Sequence, residues 1–134
     1  MLRAIDGVSF SVSEGEIFGL VGESGCGKTT LGKVILKLWE PTSGRVYFLG
    51  RDIAEFDSYR LKKFRRQAQM IFQNVDGSLN PRKRIRQILS QPYRIHHVAQ
   101  DEEIEDRLQA LLGAVGLSSE VLDRYPHEFS GGQK

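Results

Sequence analysis

An α/β core followed by a helical subdomain is the fold class this sequence predicts, and three observations carry the prediction. The mostly apolar run Glu16-Ile17-Phe18-Gly19-Leu20-Val21 suits a buried strand and leads straight into a glycine-rich segment. That segment opens a helix, Lys28 to Leu38, with Leu31, Val34, Ile35 and Leu38 on one face. After Pro81 the short apolar runs give way to purely helical spacing.

Taken in order, Val8, Phe10 and Val12 alternate with Ser9 and Ser11, as in a strand with one buried face, and Ser13-Glu14-Gly15 turns the chain into the apolar run. Pro41-Thr42-Ser43-Gly44 ends the first helix. Arg45 to Leu49 reads as a strand, Ser58 to Phe64 as a short helix, and Ala68 to Phe72 as a strand that stops at Gln73. Beyond Pro81, Ile85, Ile88 and Leu89 share a helical face. Asp101 to Val115 then places Ile104, Leu108, Leu111, Leu112 and Val115 at helical spacing behind an acidic first turn. The chain is therefore expected to divide into an α/β core, residues 1–80, and a helical subdomain, residues 81–134.

Composition bounds the partners. The 134 residues are enough for one domain's core, and 19 basic against 17 acidic side chains give a formal charge of +2, too small to argue for nucleic acid or anionic lipid. The single cysteine, Cys26, has no intramolecular disulfide partner, which fits a reducing cytosolic setting. No apolar stretch approaches the roughly 20 residues that span a bilayer, so membrane association is expected to come through a partner.

The chemistry is concentrated in Gly22-Glu23-Ser24-Gly25-Cys26-Gly27-Lys28-Thr29, which fits G-x-x-x-x-G-K-[ST]. Glycines let such a backbone curl with several N–H groups inward at the start of a helix, a concave anion site. Lys28 adds a charge that reaches the outer phosphates, and the Thr29 hydroxyl is placed to bind the accompanying magnesium, so the implied ligand is a nucleoside triphosphate.

With this loop, Gln73 and the terminal Ser130-Gly131-Gly132-Gln133 in that order, the chain resembles the nucleotide-binding subunit of an ATP-binding cassette (ABC) transporter over nearly every residue. Ser78-Leu79-Asn80-Pro81-Arg82 and Tyr125-Pro126-His127-Glu128-Phe129-Ser130-Gly131-Gly132-Gln133 are similar to the oligopeptide, dipeptide and nickel importer branch. The resemblance implies a P-loop NTPase core binding ATP and magnesium. Gly22 to Thr29 would wrap the phosphates with Thr30 nearby, and Thr29 and Gln73 would contact the metal. Ser130 to Gln133 would be the signature motif, touching the γ-phosphate held by the opposite subunit of a head-to-tail dimer. It further implies transmembrane permease partners, a peripheral place on the cytoplasmic face of the membrane, and no nucleic-acid partner.

There are departures from the family pattern. Phe129 stands where the broad family has Leu, and Asn74-Val75 replaces the usual Asp-Pro after the glutamine. The family's second acidic strand, catalytic glutamate and switch histidine follow the signature motif, so no catalytic residue is assigned within the chain and these are expected beyond Lys134. The resemblance thus implies a fragment of a longer subunit, inactive alone. Two rival readings are a soluble ABC ATPase acting on nucleic acid or ribosomes, and a nonfunctional truncated product.

Other candidates have plainer readings. The basic clusters Arg60 to Arg66 and Arg82 to Arg86 read as solvated helix faces, or as surfaces for a transmembrane partner because they flank Gln73. His96 and His97 splay apart on a helix and His127 stands far from them, a poor metal set. Trp39 reads as a packing residue.

Overall fold

The computed structural model describes residues 4–72 and 77–130, and the chain divides into two compact units, Met1–Met70 and Ile71–Lys134.

In the first unit the chain turns at Ser13 to Glu16, where the Glu16 N–H donates to the Ser13 carbonyl at 3.1 Å and the Ser13 N–H to the Glu16 carboxylate at 2.6 Å. This turn brings Phe10 and Phe18 into a parallel stack, with centroids 4.9 Å apart. The flanking runs are nevertheless not strands. Among the described residues the only ladder is a hairpin of β1 (Tyr47–Phe48) and β2 (Arg51–Asp52), antiparallel, with Tyr47 opposite Asp52 and Phe48 opposite Arg51.

The expected strands at 8–12, 16–21 and 68–72 are therefore corrected to unpaired backbone, and among the described residues they join no sheet. The physical reason is that a strand buried on both faces exists only through its neighbours. No described segment pairs with these runs, and Ile17 and Val21 stand 98% and 93% exposed.

The helices follow local rules more closely. α1, Lys28–Ile35, has Leu31, Val34 and Ile35 half-buried. It stops short of the expected Leu38 because Lys37 takes a left-handed φ of 51°, with its ammonium donating to the carbonyls of Ile53 at 2.8 Å and Ala54 at 3.1 Å. Trp39, read as a packing residue, is half exposed beneath the Lys33 ammonium, 4.2 Å from the ring centroid.

Asp52 caps the turn Ile53–Glu55 by accepting the Ala54 N–H at 2.9 Å, and Asp57 caps α2, Ser58–Gln67, by accepting the Arg60 N–H at 2.7 Å. Phe64 of α2 is buried and meets Phe48 and Phe56 edge to face, at 4.9 and 5.9 Å.

The second unit is helical. α3, Ile85–His96, begins with the Arg84 N–H donating to the Gln87 side-chain oxygen at 3.0 Å. α4, Asp101–Ala114, carries Asp101, Glu102 and Glu103 in its first turn, where they favour the positive end of the helix. Short helical turns at Ser119–Asp123 and Pro126–Glu128 follow.

The core of this unit joins Ile85 to Ile104, Leu108, Leu112, Val121 and Leu122, with Ile88, Leu89, Tyr93 and Phe129 packed around it. Leu111 and Val115 do not join it: the buried stripe of α4 runs through 104, 108 and 112, leaving these two exposed on its flank.

Candidate functional site

The phosphate-loop candidates Gly22 to Thr30 lie together in the first unit, where unpaired backbone passes into α1. Gly27 precedes the helix at φ 96° and, having no side chain, supplies no cap. The first intrahelical bond is Leu31 N–H to Gly27 carbonyl, at 2.8 Å. The N–H groups of Lys28, Thr29 and Thr30 therefore have no acceptor within the helix, and their partial positive charge adds to the helix dipole.

No acidic side chain stands in the first turn. Instead the cation Lys28 occupies it, a placement the dipole disfavours unless an anion is to be held there.

Lys28 also shapes the loop. Its ammonium donates to the carbonyls of Gly22 and Glu23, each at 2.6 Å, and lies 3.5 Å from Cys26 Sγ. The Cys26 N–H returns to the Glu23 carbonyl at 3.3 Å. The loop is thus wound around its own lysine, with Cys26 a free, exposed thiol on its rim.

Two glycines sit where the winding is tight. A Cβ on Gly22 would lie 2.6 Å from Cys26 Sγ, and one on Gly27 would strike the Ala4 carbonyl in addition to the strained φ. A third glycine, Gly32 inside α1, matters for space alone: a Cβ there would lie 2.7 Å from the Met70 methyl.

The contacts from Ala4 and Met70 were not legible in the motif. A glycine in a helix interior is the one signal pointing to the second of them.

Thr29, the expected metal-binding hydroxyl, is exposed on the first turn, and Thr30 beside it is half-buried. Gln73, Gly131, Gly132 and Gln133 lie outside the described residues. Ser130 is exposed in the second unit, just after the turn Pro126–Glu128.

Two clefts of the first unit, about 390 and 310 Å³, are lined around Arg45, Arg51 and Arg60 and around Trp39 and Ile53. Neither includes a residue of the phosphate loop, which is an open surface feature. Among the described residues no group of three or more His, Cys, Asp or Glu side chains can hold a metal, and no helix is long and apolar enough to cross a membrane.

Two guanidinium groups are held above their ordinary pKa. For Arg86 the chief cause is its hydrogen bond to Glu105, with Asp123 adding to it; for Arg45 it is the hydrogen bond with Tyr47.

A glycine-wound loop closed by a lysine at a helix start is the arrangement of the P-loop class. Residues 5–134 match the ABC transporter family, and the chain belongs to it. It is 46% identical over 134 residues to the oligopeptide transport ATP-binding protein AppF of Bacillus subtilis (strain 168), a match covering 99% of this chain and 41% of that protein. It is 48% identical to the oligopeptide transport ATP-binding protein OppF of Streptococcus mutans, covering 99% of this chain and 44% of OppF. With the dipeptide transport ATP-binding protein DppF of Escherichia coli (strain K12) it shares 43% identity, over 100% of this chain and 40% of DppF. The chain thus spans about two-fifths of the length of these relatives.

Proposed function

We propose that this chain carries the nucleotide-holding and partner-contacting loops of an ABC importer subunit that couples ATP binding and hydrolysis to uptake of peptides or a related solute. The observation that carries the reading is Lys28, seated on the carbonyls of Gly22 and Glu23 at the start of a helix whose first N–H groups lack intrahelical acceptors. Glycine at 22 and 27 supports a loop of mostly backbone character, since a Cβ at either position would meet Cys26 Sγ or the Ala4 carbonyl. The relatives named for oligopeptide and dipeptide transport support the solute class.

In this reading residues 1–80 hold ATP, with Gly22 to Thr29 around its phosphates and Thr30 beside them. Thr29 and Gln73 would hold magnesium, which would supply charge neutralisation to the bound triphosphate. Residues 81–134 present Ser130 to Gln133 to ATP held by a second subunit in a head-to-tail dimer. The subunit sits on the cytoplasmic face of the membrane through permease subunits and has no nucleic-acid partner.

The test uses a subunit of the relatives' length. Gly131→Glu should abolish ATP-driven dimerisation in sedimentation while leaving ATP-analogue binding by the monomer unchanged. Undiminished dimers contradict the assignment of the signature motif, and copurification with nucleic acid instead of membrane subunits contradicts the transport reading.

A further inference from the structure

Two arginines at the start of α3 hold the segment that runs into Ser130. The Arg86 guanidinium pairs with Glu105 of α4 through one terminal nitrogen and donates through Nε to Oδ1 of Asp123 at 3.4 Å. Arg84 lies 3.9 Å from the same Asp123 oxygen, and its guanidinium carbon sits 5.5 Å from the centroid of the Tyr125 ring. Between the two arginines, the Ile85 N–H donates to the Arg124 carbonyl at 3.0 Å. Residues 84–86 therefore grip residues 123–125 by ion pair, backbone bond and ring face together.

Both sides of the grip carry further bonds of their own. The Asn80 side-chain oxygen accepts the Arg82 N–H at 3.0 Å and its carbonyl accepts the Lys83 N–H at 3.1 Å, a turn that feeds the start of α3. Beyond the grip, the Tyr125 N–H donates to Glu128 at 2.6 Å, and the Tyr125 ring stacks on His127 with centroids 5.6 Å apart. Phe129 packs against the core, one residue before Ser130. Residues 80–84 and 123–129 are thus tied to one another through residues 84–86, and each is braced by bonds of its own.

We propose that Arg86, assisted by Arg84, is a positioning residue that sets the approach to Ser130 from the attitude of residues 80–84, the stretch that follows Gln73. The inference rests on the reading of Ser130 as a contact to nucleotide held by a second subunit. Two nitrogens of one planar group serve carboxylates on two different elements, an arrangement lysine's single ammonium does not reproduce. The side chains are 39–60% exposed, so the pairs add little stability in themselves and what the fork supplies is geometry.

The two arms of Arg86 give the test its discrimination. Dimerisation driven by a non-hydrolysable ATP analogue is followed by sedimentation in a subunit of the relatives' length, alongside monomer affinity for a fluorescent ATP analogue and thermal melting. Arg86→Met and Asp123→Asn should each raise the analogue concentration for half-dimerisation by about fivefold or more. Glu105→Gln cuts only the tie to α4 and should shift it by less than about twofold, with Arg86→Lys intermediate and monomer affinity unchanged throughout.

Equal shifts for Asp123→Asn and Glu105→Gln, shifts that follow melting temperature alone, or parent-like dimers of Arg86→Met overturn the proposal. A parent subunit that does not dimerise with the analogue overturns the dimer reading itself, and the proposal with it.

Discussion

Replacing Lys28 with Ala separates the loop's two uses of that side chain. In the folded protein the ammonium bridges the Gly22 and Glu23 carbonyls at 2.6 Å, but both acceptors are exposed, so water takes over their bonds when the side chain is gone. The cost to folding should therefore stay below about 1 kcal/mol, in the range of ordinary surface substitutions. The cost to ligand binding is larger, because a charge-assisted hydrogen bond to phosphate contributes about 1.5–3 kcal/mol, roughly tenfold to 150-fold in affinity. Titration with a fluorescent ATP analogue, with thermal melting as the folding control, reads both quantities. Lys28→Ala that binds like the parent in a folded sample refutes the phosphate-loop assignment. Lys28→Ala that melts far below the parent refutes the claim that water replaces the carbonyl contacts.

Gly27→Ala should impair folding of the loop and nucleotide binding together: the left-handed φ alone costs about 1–2 kcal/mol, and the added Cβ strikes the Ala4 carbonyl. Parent-like titration and melting would contradict the loop geometry. On α4, Leu108→Ala should lower stability by about 2–5 kcal/mol in chemical denaturation, because the side chain is fully buried. Leu111→Ala on the same helix should cost less than about 1 kcal/mol, and equal losses would place the buried face wrongly. Ile17→Lys and Val21→Lys in the 134-residue chain should reduce aggregation in light scattering without lowering the melting temperature, since both side chains stand in solvent. A lowered melting temperature would show them to be packed.

The helices were legible because their causes are local. Asp57 caps α2, the acidic first turn opens α4, and the periodic Leu and Ile positions sit within a few residues of one another. The strand expected at 45–49 is met in part by β1, but those at 8–12, 16–21 and 68–72 were not legible, since an apolar run such as 16–21 becomes a strand only when another segment bonds to it, and nothing within the run says which. Leu111 and Val115 fit the helical period yet fall off the buried stripe, because period alone does not say how wide a face the neighbouring elements cover.

The same division between local and distant causes runs through the candidate sites. The candidate phosphate loop stood out in the sequence because its motif is one short segment, within which Lys28 reaches back only to residues 22 and 23. The close approach of Ala4 to Gly27, and of Met70 to Gly32 within α1, could not be read there, because those partners lie well along the chain. Arg86 was hidden most completely. Inside a basic cluster it reads as one more solvated charge, and its two carboxylate partners stand 19 and 37 residues away. A phosphate cradle is recognisable because one short segment supplies all its donors, whereas an arginine that orients one segment against another acquires that role only from the fold. Charged residues read from sequence as surface are therefore where positioning roles in this chain are to be sought, and the unequal effects expected for Asp123→Asn and Glu105→Gln are how such a role separates from plain stabilisation.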